Sequence, residues 1–192
     1  MAVVIGTNSG FCASSPSGDP AGAEAPIDGN ARAQKDTSPA GNNVIIEMGF
    51  YTGQATEESD FEVGIYEHNA GDDNPEALVG KSAATAKGTS AGWKKVTGLS
   101  IPISAATAYW VAVQLDNTAT QTKIDYSGDA GEKTDNKSVQ TTLTDPWGVS
   151  GGTDGLIVAV YAVYEAVAAA GTIKAGIIRE ESLNADKEIG IY

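Results

Sequence analysis

The sequence predicts an all-β protein, an antiparallel two-sheet β-sandwich of jelly-roll-like type. Three segments alternate apolar and polar side chains with a period of two. Clusters of Asn, Gly, Asp, Pro and Ser separate them at strand-length intervals, and no segment sustains an apolar period of 3.6. Strand signals recurring about every 10–15 residues without helical stretches are the pattern of a sandwich.

The elements follow in chain order. GFCAS at 10–14 reads as an N-terminal strand in which Cys12 is a small buried apolar residue. Residues 14–30, SSPSGDPAGAEAPIDGN, read as an extended surface loop. VIIEMGFYT at 44–52 places Val44, Ile46, Met48 and Phe50 on one face and Ile45, Glu47, Gly49 and Tyr51 on the other. FEVGIYEH at 61–68 sends Phe61, Val63 and Ile65 one way, and Glu62, Gly64, Tyr66 and His68 the other. The turn cluster HNAGDDNPEA follows at 68–77, and SAGW at 90–93 precedes a short strand, WKKVTG. LSIPIS at 99–104 contains Pro102, which lacks an N–H and so belongs on a sheet edge or at a strand start. TAYWVAVQLD at 107–116 sets Tyr109, Val111, Val113 and Leu115 against Trp110, Ala112, Gln114 and Asp116. TKIDY at 122–126 and KSVQTTL at 137–143 are further strands. GLIVAVYAVYE at 155–165, apolar on both faces, is a central strand. Residues 1–166 are thus one sandwich domain. Residues 167–192 form a C-terminal tail in which TIKAGII at 172–178 alternates like a strand, either completing a sheet or serving as a subunit-contact arm.

Composition excludes several classes of partner. Twelve Lys and Arg stand against 25 Asp and Glu, a net charge of −13, so no basic footprint exists for nucleic acid or for an anionic membrane surface. One cysteine excludes an internal disulfide framework and a multi-cysteine zinc site. MAVVIGTNSG carries no basic region followed by a long apolar stretch, so no secretory leader is expected.

Catalytic signals are absent. The only histidine, His68, reads as an exposed strand-end residue at the mouth of a turn, with Glu67 on the opposite face. No G-x-S-x-G elbow is present, and no carboxylate pair stands out among the many acidic residues. Asp72, Asp73, Asn74 and Glu76 gather oxygen ligands in one loop. They form a candidate structural calcium site, although D-D-N-P is equally good hairpin-turn chemistry. No other cofactor is expected. Tyr66, His68, Trp110 and Gln114 fall on the face opposite the core, joined there by Tyr51 and Glu47. If open, that face would stack sugar rings on its aromatics and bind hydroxyls through its polar groups; otherwise the N-terminal loop or the tail covers Trp110. Trp93 and Trp147, beside turns, staple loops to the core.

The segments FEVGIYEHNAGDDNPEALVG, AKGTSAGWKKVTGLSIPIS and TAYWVAVQLDNTAT share one layout: a GIY strand, a Pro-containing turn, an L-V-G strand, an AGW turn and a YW-x-AVQ strand. This layout, over roughly residues 8–165, resembles jelly-roll-like sandwich modules of secreted bacterial proteins and of small virion structural proteins of tailed bacteriophages. KDTSPAG, ATEESDFEVGIY and TTLTDPWG resemble the phage versions more closely. The resemblance implies a non-enzymatic protein located in the virion, a capsid decoration, tail or fibre component that self-associates or contacts other virion proteins. It brings no catalytic residues. Glycan binding through Tyr66, His68, Trp110 and Gln114 is the alternative expectation.

Overall fold

The computed structural model describes residues 1–53, 57–119 and 121–167. The tail expected over 167–192 lies, apart from Val167, outside the described residues. Fourteen strands and no helix occur among the described residues: β1 (Gly10–Cys12), β2 (Ala23–Pro26), β3 (Asn30–Thr37), β4 (Asn43–Thr52), β5 (Asp60–Asn69), β6 (Asn74–Lys81), β7 (Thr85–Ala86), β8 (Gly92–Ile103), β9 (Ala108–Leu115), β10 (Lys123–Gly128), β11 (Thr134–Ser138), β12 (Gly152–Asp154), β13 (Leu156–Val158) and β14 (Val160–Ala166). The all-β sandwich expected from the alternation is the observed fold.

One layer is a seven-stranded sheet in the order β12-β11-β3-β9-β5-β6, with β7 pairing β5. The other layer consists of a four-stranded sheet, β1-β14-β4-β8, and a three-stranded sheet, β13-β10-β2. Pairings are antiparallel except β1 with β14. The apolar run 155–165 is one extended stretch shared by two sheets. Its first part pairs β10 and its second pairs β4, and Ala159 bridges them by donating to Asp125 O and accepting from Tyr51 N.

Period-two alternation builds the interior. Phe61, Val63 and Ile65 of β5 and Tyr109, Val111, Val113 and Leu115 of β9 meet Met48, Phe50, Ile124, Val158 and Val160 from the opposite layer. Phe50 and Phe61 pack edge to face with centroids 5.3 Å apart, an arrangement worth about 0.5–1.5 kcal/mol beyond area burial. In β4 the alternation slips: Ile45, not Val44 or Ile46, enters the core. Against β14, Ile46 is an extra residue in a β-bulge, while against β8 the register also shifts, with the extra residues on β8 between Thr97 and Ile101. WKKVTG and LSIPIS form one strand, β8, whose kink coincides with Gly98 at φ +73°. Pro102 sits on that edge strand, as its missing N–H requires.

Among the strands that were not legible, two matter for the site. The 14–30 segment contains β2, and Ile27 within it is fully buried. NARAQKDT forms β3, paired along its whole length with β9. Its outward residues Ala31, Ala33 and Lys35 give little hydrophobic signal and have low strand propensity. KSVQTTL is mostly not a strand: β11 ends at Ser138 and Val139 turns to φ +56°.

The centre of each outer face of the sandwich is covered by the chain itself. Residues 1–22 strap the four- and three-stranded sheets. Val3 and Ile5 pack with Tyr51, Trp93 and Ile157, and Val3 N donates to Ser127 Oγ at 2.9 Å. Ser9 Oγ donates to Val158 O, and Gly18 O accepts from Trp93 Nε1 at 2.8 Å. Residues 139–150 form a flap over the seven-stranded sheet. Each expected open face is therefore a second, thinner core.

Beneath the strap lies an electrostatic conflict. Asp125 of β10 pairs directly across from Glu24 of β2, and like charges opposite one another destabilise a sheet. Asp125 is 3% exposed and its Oδ1 has no hydrogen-bond partner. A Cβ on Gly53 would lie 2.2 Å from Glu24 Oε1 and 3.1 Å from Asp125 Oδ1, so both oxygens crowd one space. Burial raises the Asp125 carboxyl above the usual range, the Gly22 N–H opposes the rise, and Glu24 and Asp19 add to it. A carboxyl raised in the folded state contributes stability at low pH that is lost as pH rises through the raised value. Ionised Asp125 therefore costs stability at neutral pH. Asp125→Asn is expected to raise the Tm at pH 7 and to leave it unchanged near pH 3, read by thermal unfolding monitored by circular dichroism.

Candidate functional site

Tyr66, His68, Trp110 and Gln114 do come together, on the outer face of adjacent strands β5 and β9. Tyr66 stands directly opposite Trp110 in the ladder. Tyr51 and Glu47 are not with them: they lie on the other outer face, under the strap. Glu47 there accepts from Ser15 Oγ, from Tyr161 OH at 2.7 Å and from Lys95 Nζ at 3.2 Å. Burial would raise its carboxyl, but these donors hold it below the usual range.

The aromatic face is closed. Tyr66 and Trp110 are both 0% exposed, which overturns the expectation of an open stacking surface. What covers them is neither the N-terminal loop nor the tail but Leu143 and Trp147 of the flap. The Trp147 ring meets Tyr66 edge on, with centroids 5.0 Å apart, and Ala31 and Ala33 leave it room. Gly64 serves the same end: a Cβ there would sit 3.0 Å from Leu143 Cδ1. Trp147 therefore staples a loop to the core, as its place beside a turn predicted.

Polar bonds pin the flap along its length. Glu62 accepts from Lys81 Nζ at 2.8 and 2.9 Å, from Thr142 Oγ1 at 2.8 Å and from Leu143 N at 2.7 Å. Burial alone would raise the Glu62 carboxyl, but Lys81, the Leu143 amide and Thr142 hold it below the ordinary range. Tyr66 OH donates to Thr144 O at 2.8 Å, and Leu78 N donates to Asp145 Oδ1 at 3.0 Å. Trp147 Nε1 donates to Asp135 Oδ1 at 3.0 Å, and Ser150 Oγ to Asp135 Oδ2 at 2.6 Å. Asp135 is fully buried, and burial raises its carboxyl against these two donors. Gln114 is 1% exposed and donates through Nε2 to Gln140 O and Asp116 Oδ1, both at 3.0 Å.

His68 is half-buried rather than an exposed strand-end residue. Its Nδ1 accepts from Trp110 Nε1 at 3.2 Å, which leaves the proton of the neutral ring on Nε2, 3.9 Å from Asp73 Oδ1. Burial and Lys35 lower its pKa, opposed by Asp73. Protonation at Nδ1 would break the Trp110 bond, so His68 is expected to stay neutral at pH 7. A two-dimensional NMR pH titration of its imidazole carbons should place its pKa below about 6.5, the value of a free histidine.

The 72–76 loop does not assemble the expected calcium set. Asp73 Oδ1 receives Lys35 Nζ at 2.5 Å and its Oδ2 faces Lys133 Nζ at 3.8 Å, so its charge is met by lysines. That pairing with Lys35 holds its carboxyl below the usual range. Asp72 instead accepts from Asn69 Nδ2, and Glu76 contributes its backbone carbonyl to Trp147 N. Asn74 pairs with Asn69 in the hairpin ladder. No group of three or more His, Cys, Asp or Glu side chains among the described residues is arranged to hold a metal ion. Cys12 is buried with its thiol pushed up to about 12 by burial, the inert state expected of a small core residue.

One open concavity lies beside the flap. It has a volume of about 280 Å³ and is formed by the β2–β3 turn at Asp28–Asn30, Asn117 after β9, and residues 138–141. Sequence reading passed over it because its polar residues come from three separate turns, each ordinary alone.

These features define an all-β sandwich whose two outer faces are each covered at their centre by the chain's own segments, bearing loops and a small open cavity. In sequence, the chain matches no protein-family model and no curated protein.

Proposed function

We propose that the protein is a non-enzymatic structural or appendage component of a virion (a capsid decoration, tail or fibre part) that works through surface contacts. The resemblance of its central segments to small tailed-phage proteins supports this reading. So does the sealing of both sheet faces, the observation that carries it. The buried carboxylates Glu47, Glu62 and Asp135 are each bonded to strap or flap, Glu47 through Ser15, rather than directed into a cleft. Contacts then fall to loops and sheet ends. Such a protein associates with copies of itself or with other virion proteins. Analytical ultracentrifugation of the full chain at micromolar concentration is expected to show a defined oligomer that dissociates when residues 167–192 are removed. A monomer throughout, or turnover of any substrate by the pure protein, would contradict the proposal.

A second reading, recognition of a cell-surface or polymeric glycan, is favoured by the concavity lined by amide and hydroxyl residues rather than by the aromatic face. The two readings are compatible, since a virion appendage reaches cell-surface polymers.

A further inference from the structure

We infer that the concavity between the β2–β3 turn, Asn117 and residues 138–141 is a binding site for a neutral, hydroxyl-rich ligand the size of a single saccharide ring. The inference rests on the glycan reading above and gives it a place. Its volume, about 280 Å³, falls just below the roughly 300–1,000 Å³ usual for small-molecule sites, which suits one ring and not a long chain.

The wall chemistry selects the ligand. Asn117, Ser138 and Thr141 line the cavity, and their side chains bond to no other described residue. Gln140 spends its amide donors on Ser138 O and Val139 O, at 2.8 and 3.0 Å, which leaves its Oε1 as an acceptor. Asp28, in the same wall, keeps a buried Oδ1 without a hydrogen-bond partner. No lysine, arginine or aromatic ring lines the cavity, so neither an anion nor a planar base is matched. Amides and hydroxyls that both donate and accept are the partners of sugar hydroxyls.

The wall is also built and held. Gln140 N donates to Gly29 O at 2.8 Å, tying the two loops together, and buried Gln114 grips Gln140 O from below. Between them Val139 stands 90% exposed at φ +56°. A β-branched residue rarely adopts this conformation, and such strain concentrates where ligands are held. The exposed isopropyl group offers an apolar patch to the C–H face of a ring.

The test uses the full-length ¹⁵N-labelled chain titrated separately with glucose, galactose, mannose and N-acetylglucosamine. At least one sugar is expected to shift the amides of Asn117 and residues 138–141 saturably below about 100 mM, since so small a ligand binds at the millimolar level. Asn117→Ala and Val139→Gly should each weaken that binding by about tenfold. Glycine is at ease at positive φ and both sites are exposed, so the remaining spectrum should not change. No saturable shift with any of the four, shifts elsewhere, or binding indifferent to both substitutions would overturn the inference. Cosedimentation with bacterial cell-wall polysaccharide separates the two levels. If it persists unchanged in both variants, the cavity assignment fails and the glycan reading stands; if the wild-type chain does not cosediment and binds no sugar, both fail.

Discussion

Trp147→Ala is expected to destabilise the protein by about 3–5 kcal/mol, the usual cost of truncating a fully buried aromatic side chain. Trp147 is 1% exposed, packs edge to face with Tyr66 and gives its indole N–H to buried Asp135. The truncation leaves a cavity over Tyr66 and Trp110 and takes a hydrogen bond from a buried carboxyl. Against a total stability of about 5–15 kcal/mol this is a large share. Urea unfolding should show a lower midpoint with a similar slope. Native fluorescence from Trp110 should become more accessible to acrylamide as the flap loosens. Trp147→Phe, which keeps a ring against Tyr66 and loses only the N–H, should cost less. A loss below about 1 kcal/mol for the alanine variant would mean that the flap is not held as described.

Glu62→Ala should be the next most damaging change, at about 2–3 kcal/mol. It removes the acceptor of Lys81, Thr142 and the Leu143 amide together. Breaking a fully buried pair costs about 3–5 kcal/mol, but the Lys81 side chain is 29% exposed and can turn to water, which reduces the loss. The buried Leu143 N–H cannot, and it carries much of the cost. The pH dependence has the opposite sign to that of Asp125. Because the Glu62 carboxyl is held below its ordinary value, its stabilisation is present above the ordinary carboxylate range and disappears as pH falls through the lowered value. Glu62→Gln should therefore weaken the protein at pH 7 and shrink the stability lost between pH 7 and acid conditions. Denaturant titrations at a series of pH values measure both effects.

The sequence made the main core legible because β5 and β9 alternate without interruption, and the two sets Phe61/Val63/Ile65 and Tyr109/Val111/Val113/Leu115 both turn inward. The same alternation correctly grouped Tyr66, Trp110 and Gln114 on the other face. What it could not convey is that a second layer covers that face. The cover is made by Leu143 and Trp147 on a non-repetitive loop, and nothing periodic links them to β5 and β9, roughly 35–80 positions earlier. β3 escaped notice because the outward positions that pack beside Trp147 are the small Ala31 and Ala33, so its local signal is weak where its packing role is strongest. The bulge at Ile46 reversed the faces assigned to Val44 and Ile45, since one added residue flips every side chain beyond it. The 72–76 loop looked like a metal site by composition alone; Lys35 and Lys133, distant in sequence, decide the charge environment of Asp73.

The central claim is that both sheet faces are sealed by the chain's own segments. Hydrogen exchange at the tryptophan indoles tests it most directly. Trp110 Nε1–H, bonded to His68 beneath the flap, and Trp147 Nε1–H, bonded to buried Asp135, should exchange in D₂O only through large-scale opening. Their NMR signals should outlast that of an unfolded-chain indole by many orders of magnitude. Immediate loss of the Trp110 signal in the folded protein would show that this face is open, and the account would be wrong.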